Sequence, residues 1–351
     1  MGRRKRVTAK DVAQLAGVSR TTVSLVLNNA PNVHISPETR RRVLEAARQL
    51  NYHPHAAARS LVSQRSMTLG LVLCQSPEQV FADPFLPQVL QGINHVAQAA
   101  GYRILLETMS NPEDDGYTAL ALENRIDGFI LSGPRSDDAA LRALYEDGFP
   151  IVLLGRLPDV PIPFVDVDNV HAAYGAVSHL IHLGHTRIGI ITNGPLHYTA
   201  SADRLEGYRR ALLEHGLTYD DTLVAFGAFR EESGRAAMDR LLALEDPPTA
   251  VFAASDAIAL GALVSLRRHG LRVPDDVALV GFDDIPLAAY VNPPLTTVRL
   301  PARQLGEEAA RLLVALVEGR TVETTEVLLE TTLIVRESCG SHRASNSVGV
   351  L

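Results

Sequence analysis

Two groups of residues in this chain have the types and spacing to hold or read another molecule. Arg20, Thr21 and Ser24 share one face of a short helical pattern, while Val23, Val26 and Leu27 fall on another, so a hydrogen-bonding edge stays outward as the apolar edge packs. A helix fits the major groove of B-DNA, where an arginine fork pairs with guanine O6 and N7, and Arg20 is the residue suited to that. Farther on, Arg204 stands at the start of an amphipathic helical pattern, where its charge opposes the helix dipole unless something anionic or polar faces it. Asp283 ends an apolar strand pattern, and a guanidinium with a carboxylate makes a donor-plus-acceptor pair able to hold neighbouring hydroxyls. With Asp284 it also reads as an ordinary turn. Asp256 reads first as the N-cap of a helix over Ala257–Arg268. His179, His182 and His185 form a metal-like pattern, but Gly184 interrupts the helix between them and the helix dipole accounts for histidines at a C-terminus, so no metal is expected.

Charge separates these two groups along the chain. Residues 1–65 hold twelve Lys and Arg against three acids, whereas the rest hold 21 against 37, within a total of -7 over 351 residues. A basic module on an acidic body implies local contact with phosphates while the body repels nucleic acid. The start, Met1–Arg6, is basic but is followed by no apolar stretch of signal-peptide length, and no run of about 18 apolar residues occurs, so a cytoplasmic protein without membrane contact is expected. Cys74 and Cys339 lie far apart and imply neither a disulfide framework nor a metal cluster. No phosphate-binding loop, dinucleotide fingerprint, nucleophile elbow or zinc-protease helix is present, which argues against an enzyme and against a cofactor.

The elements that must position these residues follow from the punctuation. Thr8 with Asp11 opens a helix carrying Val12, Leu15 and Ala16, and Gly17 ends it. Ser19 caps the next helix, and Ser36-Pro37 starts a third with Val43, Leu44, Ala47 and Leu50 inward. His55–Leu61 is alanine-rich and long enough for only about two helical turns, marginal in isolation. From Leu69 the pattern becomes βαβ, with strands expected at Leu69–Leu73, Arg103–Glu107, Gly128–Leu131, Ile151–Leu154, Arg187–Thr192, Leu223–Gly227, Ala250–Ala254, Ala278–Phe282 and Glu326–Arg336. A break around Pro161–Val170 predicts two parallel sheets side by side, with a ligand at the carboxyl ends of their strands.

The run Val7-Thr8-Ala9-Lys10-Asp11-Val12-Ala13-Gln14-Leu15-Ala16-Gly17-Val18-Ser19-Arg20-Thr21-Thr22-Val23-Ser24-Leu25-Val26-Leu27-Asn28 resembles the headpiece of the lactose-repressor (LacI/GalR) family. The likeness continues through Leu50-Asn51-Tyr52-His53-Pro54, Ala58-Arg59-Ser60-Leu61, His179-Leu180, Leu183-Gly184-His185, Ser255-Asp256 and Pro294-Leu295-Thr296-Thr297-Val298. It implies an all-α helix-turn-helix headpiece (1–55), a hinge helix and linker (56–66), an α/β sensor of two doubly wound parallel-sheet lobes similar to periplasmic sugar-binding proteins (67–338) and a polar tail (339–351). One lobe is expected to hold about 67–166 and 296–326, the other about 167–295 and 327–338.

By the same resemblance, Thr8, Ser19, Thr22, Asn28 and Tyr52 contact DNA phosphates, and the hinge residues Ala58 and Leu61 enter the minor groove, Leu61 as a wedge between base pairs. Leu25 stands where many members carry a base-reading polar or basic residue, which leaves the operator sequence open. The implied effector residues are Phe85, Arg204, Phe229, Ser255 and Asp283, with Arg156 and Asp256. Phe85 and Phe229 can stack on a sugar, although Phe85 alone reads more readily as core. The function implied is a repressor of carbohydrate-utilisation genes, released from palindromic operator DNA by a mono- or oligosaccharide inducer. The alternatives are a nucleobase or nucleoside corepressor and, further off, an enzyme on the same scaffold. A homodimer is expected, since one short helix reads too few bases, and the tail after Glu326–Arg336 lacks the leucine heptads of a tetramer.

Overall fold

The computed structural model describes residues 7–27, 34–52, 65–109 and 116–341. The chain forms two compact units, Met1–Met67 and Thr68–Leu351.

The first unit contains α1 (Ala9–Ala16), α2 (Arg20–Leu27) and α3 (Pro37–Gln49). The Asp11 carboxylate accepts from the Thr8 backbone N–H at 2.8 Å and from its hydroxyl at 2.7 Å. Gly17 ends α1 in the left-handed region at φ 64, a turn that costs a residue without a side chain little. Ser19 Oγ then accepts from Thr22 N at 3.0 Å, and Ser36 Oγ from Thr39 N at 3.2 Å, with Pro37 at the first helical position. The shared core is Val12, Ala13, Ala16, Val23, Val26, Val43, Ala46 and Ala47. Leu15 and Leu44, expected inside, are 51% and 43% exposed. Val12, Val23 and Val43, one from each helix, are its most buried members.

The second unit holds two six-stranded sheets. In the first, the order is β11 (Glu326–Leu329), β5 (Phe164–Val167), β4 (Ile151–Leu154), β3 (Gly128–Ser132), β1 (Thr68–Leu73), β2 (Arg103–Thr108), all parallel. In the second it is β12 (Thr332–Ile334), β10 (Thr296–Arg299), β9 (Ala278–Asp283), β8 (Ala250–Ala253), β6 (Ile188–Ile191), β7 (Val224–Ala225), parallel except for β12. The central strands are near-continuous buried aliphatic runs, as sheets covered on both faces require.

Three crossings join the lobes, and they correct the expected boundaries. The supposed break at Pro161–Val170 contains β5, paired between β4 and β11, and the chain first crosses after it at Asp168. Thr296–Arg299 pairs with β9 and so belongs to the second lobe, not the first, which moves the second crossing to Leu300–Pro301. The single strand expected over Glu326–Arg336 is two short strands in different sheets, with the third crossing at Glu330–Thr331. Neither short strand carries a turn signal between them, so sequence pattern reads through the crossing. No helix among the described residues is long and apolar enough to cross a membrane.

Helix pairs on the outer layers approach closely at glycine. Between Glu231–Leu242 and Asp256–Arg268, a Cβ on Gly261 would lie 1.9 Å from the Glu231 carbonyl oxygen, which is backbone and cannot swing aside. Gly261→Ala is therefore expected to lower the unfolding free energy by about 1–3 kcal/mol, seen as a lower denaturant midpoint at unchanged slope. An unchanged midpoint would reject this contact as a constraint on the fold.

Candidate functional site

The cleft between the two lobes of the second unit holds a cavity of about 1210 Å³, counted to its open mouth. Its wall is made at the carboxyl ends of strands from both sheets: Leu73, Ser132, Leu154 and Val167 from one, Asn193, Ser255, Asp283 and Leu300 from the other. That is where the side chains of a doubly wound sheet converge. Five of the seven residues named from sequence, Phe85, Arg204, Phe229, Ser255 and Asp283, line this one cavity.

Arg204 lies on the helix Thr199–Glu214 and is only 7% exposed. Its Nε donates to Asn169 Oδ1 at 2.9 Å and its Nη1 to the Ala254 carbonyl at 2.6 Å, while the guanidinium carbon sits 3.9 Å from the Phe282 ring centroid. Asp283 Oδ1 is 3.9 Å from Nη1. The opposing group that the helix dipole demands is thus present. Burial pulls the Arg204 pKa down, with Asp283 foremost among the groups that hold it up. Burial pushes Asp283 well above the ordinary carboxylate range despite Arg204.

Asp256 and Arg156 do not line the cavity. The helix begins at Asp256 itself and its cap is Ser255, whose Oγ accepts from Ile258 N at 3.3 Å, so the capping role expected of Asp256 belongs to its neighbour. The Asp256 carboxylate turns inward, accepting from Thr297 Oγ1 at 2.6 Å and from Ile285 N at 2.9 Å, while its own N–H donates to Asp283 Oδ2 at 3.4 Å. It supports Asp283 from beneath. Burial raises its pKa as well. Arg156 pairs with Asp203 at 3.1 Å. Asp284 joins Arg299 and Arg336, each at 2.7 Å, and fixes the turn after β9.

Sequence reasoning missed Asp83, Asp166, Asn169, Asn193 and Tyr198, all of which line the cavity. Asp166 and Asn169 flank the end of β5, and an acid inside a four-residue strand disguises that strand as a loop. Asp166 Oδ1 accepts from Val167 N at 2.8 Å and Asn169 Nδ2 at 3.1 Å, and burial lifts its pKa to about 6. Asn193 Oδ1 is buried without a hydrogen-bond partner among the described residues. Tyr198 had no local signal at all; its ring meets Phe229 edge-on at 4.9 Å. The histidines go separate ways, His179 to Cys339 Sγ at 3.3 Å and His185 to Thr249 Oγ1 at 3.0 Å.

In the first unit, Arg20 and Thr21 are exposed on α2, and Ser24 and Leu25 are half-buried. Ser19 and Thr22 share a hydroxyl contact of 2.9 Å at the start of that helix. Tyr52 packs partly against the helical core. Asn28, Ala58 and Leu61 lie outside the described residues.

Residues 8–55 match the family described as bacterial regulatory proteins, lacI family, and residues 177–339 match a periplasmic binding protein-like domain. The HTH-type transcriptional regulator CelR of Thermobifida fusca is 42% identical over 342 residues, 96% of this chain and 100% of that protein. A solved transcriptional regulator CelR-cellobiose complex is 40% identical with a TM-score of 0.73, covering 95% of this chain and 100% of that one. The Lac repressor dimer bound to operator and the anti-inducer ONPF is 30% identical with a TM-score of 0.83, covering 95% and 99%.

The raised pKa of Asp166 has a sign. An acid whose pKa rises from 3.8 unfolded to about 6 folded costs nothing below the lower value and destabilises progressively as pH rises through the upper one. Asp166→Asn is expected to raise the thermal midpoint at pH 8 and leave it nearly unchanged at pH 3.5. An equal shift at both pH values would show that the carboxylate carries no burial cost.

Proposed function

This chain belongs to the lacI family of bacterial regulatory proteins, and from that premise we propose that it represses carbohydrate-utilisation genes and is released from a palindromic operator by a disaccharide of the cellobiose kind. It is a DNA-binding transcriptional regulator, and its named relatives are regulators. The observation that carries the effector reading is the cavity, which Arg204, Asp283, Phe85 and Phe229 line together, on a chain 40% identical to a regulator solved with cellobiose. Hydroxyls on a pyranose offer donors and acceptors at its edge and an apolar face to aromatic rings. We assign the cleft to binding rather than to a reaction.

Two copies are required, because α2 presents few base-reading groups and a two-fold pair reads a palindrome. Arg20 reads a base, Thr21 and Ser24 assist, Leu25 offers only apolar contact to a thymine methyl, and Thr8, Ser19, Thr22, Asn28 and Tyr52 hold the backbone. Leu61 and Ala58 bend the duplex from the minor groove, and ligand acts by favouring the lobe arrangement in which the two hinges separate. Ligand does this only through unequal affinity for the two arrangements.

Titration of the protein onto an operator fragment at fixed salt tests the whole. Cellobiose is expected to weaken operator binding by about 5–150-fold, and operator to weaken cellobiose by the same factor. Operator affinity indifferent to cellobiose rejects the effector, and retention no better than on unrelated DNA rejects the regulator. Arg20→Ala is expected to cost about 1–3 kcal/mol and to relax preference at one base position. Leu61→Ala is expected to weaken operator binding while cellobiose binding holds. Equal operator affinity for Leu61→Ala and the parent rejects the wedge.

A further inference from the structure

We propose that the cleft is a charge filter, admitting neutral or cationic polyhydroxyl ligands and rejecting sugar acids and sugar phosphates. This rests on the reading of the cleft as the effector site. Among its described lining residues are three carboxylates, Asp83, Asp166 and Asp283, and a single cation, Arg204.

That cation is already committed. Its Nε is spent on Asn169 and its Nη1 on the Ala254 carbonyl, one face lies on Phe282, and Asp283 stands 3.9 Å away. An incoming carboxylate or phosphate finds the side-on fork, which bidentate capture requires, occupied at one prong. The neighbouring Arg156 is paired with Asp203 and lies outside the lining.

Several of the remaining polar groups are acceptors. Asn169 serves as a relay, accepting from Arg204 and donating to Asp166, so the Asp166 charge is held in place across the floor of the cavity. Asp83 Oδ1 accepts from Phe85 N at 2.8 Å, which fixes the carboxylate at the start of the helix that follows. Asn193 is 7% exposed, and its buried Oδ1 has no hydrogen-bond partner among the described residues. Sugar hydroxyls or an ammonium supply donors to such a wall. An anion supplies more acceptors and a like charge, the juxtaposition by which binding sites exclude wrong partners.

The test is calorimetry on the full chain at pH 8, above the value of about 6 to which Asp166 is raised, so that this carboxylate is ionised. Three probes are compared: cellobiose, the same disaccharide with one primary alcohol oxidised to a carboxylate, and the methylamide of that acid, which keeps the added bulk and removes the charge. Cellobiose and the amide are expected to bind within about tenfold of each other and the acid at least about 100-fold more weakly. The double variant Asp83→Asn with Asp166→Asn is expected to narrow the gap between acid and amide. An acid that binds as well as its amide overturns the filter, as does an amide as weak as the acid, which would mean that size is sensed and not charge. Should cellobiose fail while maltose or lactose binds, the same three forms of that sugar are compared. In that case the choice of disaccharide falls and the filter stands or falls on the acid.

Discussion

The structure of the sensor depends on one buried guanidinium. An arginine almost removed from water carries a desolvation cost of several kcal/mol unless its hydrogens and charge are answered, and the answers to Arg204 come from several different elements. Asn169 begins the helix after β5, Ala254 follows β8, and Phe282 and Asp283 end β9. One side chain thereby ties the carboxyl ends of the second sheet to the helix at the first crossing. Asp256 lies under this arrangement, and Thr297 and Ile285 hold it there. The strand ends must be where they are for Arg204 to be tolerated, and Arg204 must be present for so many acids to be gathered.

The lobes themselves are coupled by an exchange of aromatic rings. Phe85 belongs to the first lobe and packs against the core of the second, while Phe229 and Tyr198 belong to the second and pack against the core of the first. Backbone and side-chain hydrogen bonds follow the same seam: Tyr198 hydroxyl to the Cys74 carbonyl at 2.5 Å, Ser136 N to the His197 carbonyl at 2.9 Å, Gln79 Nε2 to the Ala228 carbonyl at 3.3 Å. Phe85, Phe229 and Tyr198 also line the cavity. Groups that touch a ligand are therefore the groups that set how the lobes meet. A bound molecule cannot alter one without altering the other, which is the physical content of a coupling between ligand and lobe geometry.

What the sequence made legible is what local rules govern. Ser19, Ser36-Pro37 and Gly17 carry their capping chemistry in their own side chains or lack of one, and the structure uses each as read. Long aliphatic runs such as those of β1 and β9 announce themselves. Reading failed where tertiary context overrides the local pattern. β5 is a strand because β4 and β11 pair with it, despite an acid in its middle, and no window of sequence contains those partners. Ser255 and Asp256 are both good capping types, and only the pull of Thr297 and Ile285 on the Asp256 carboxylate decides between them. Of the five lining residues named from sequence, only Ser255 lies in a motif of the resemblance, whereas Arg204 and Asp283 were also legible as a charge set against a helix dipole and an acid closing an apolar strand. Asp166 and Asn193 lie in no such motif and carry no such local anomaly.

Asp166 and Asn193, together with Asp283, are also residues that strain the rules of a stable interior. Carboxylates with raised pKa values and an amide oxygen without a donor are expensive in a closed protein, and a chain selected for stability alone would replace them. Their common feature is that they belong to residues lining the same cavity. A molecule that supplies donors there meets the residues that also join the two lobes. The cost of these buried groups and the response to a ligand are then one property of the same few side chains, with Arg204 at their centre.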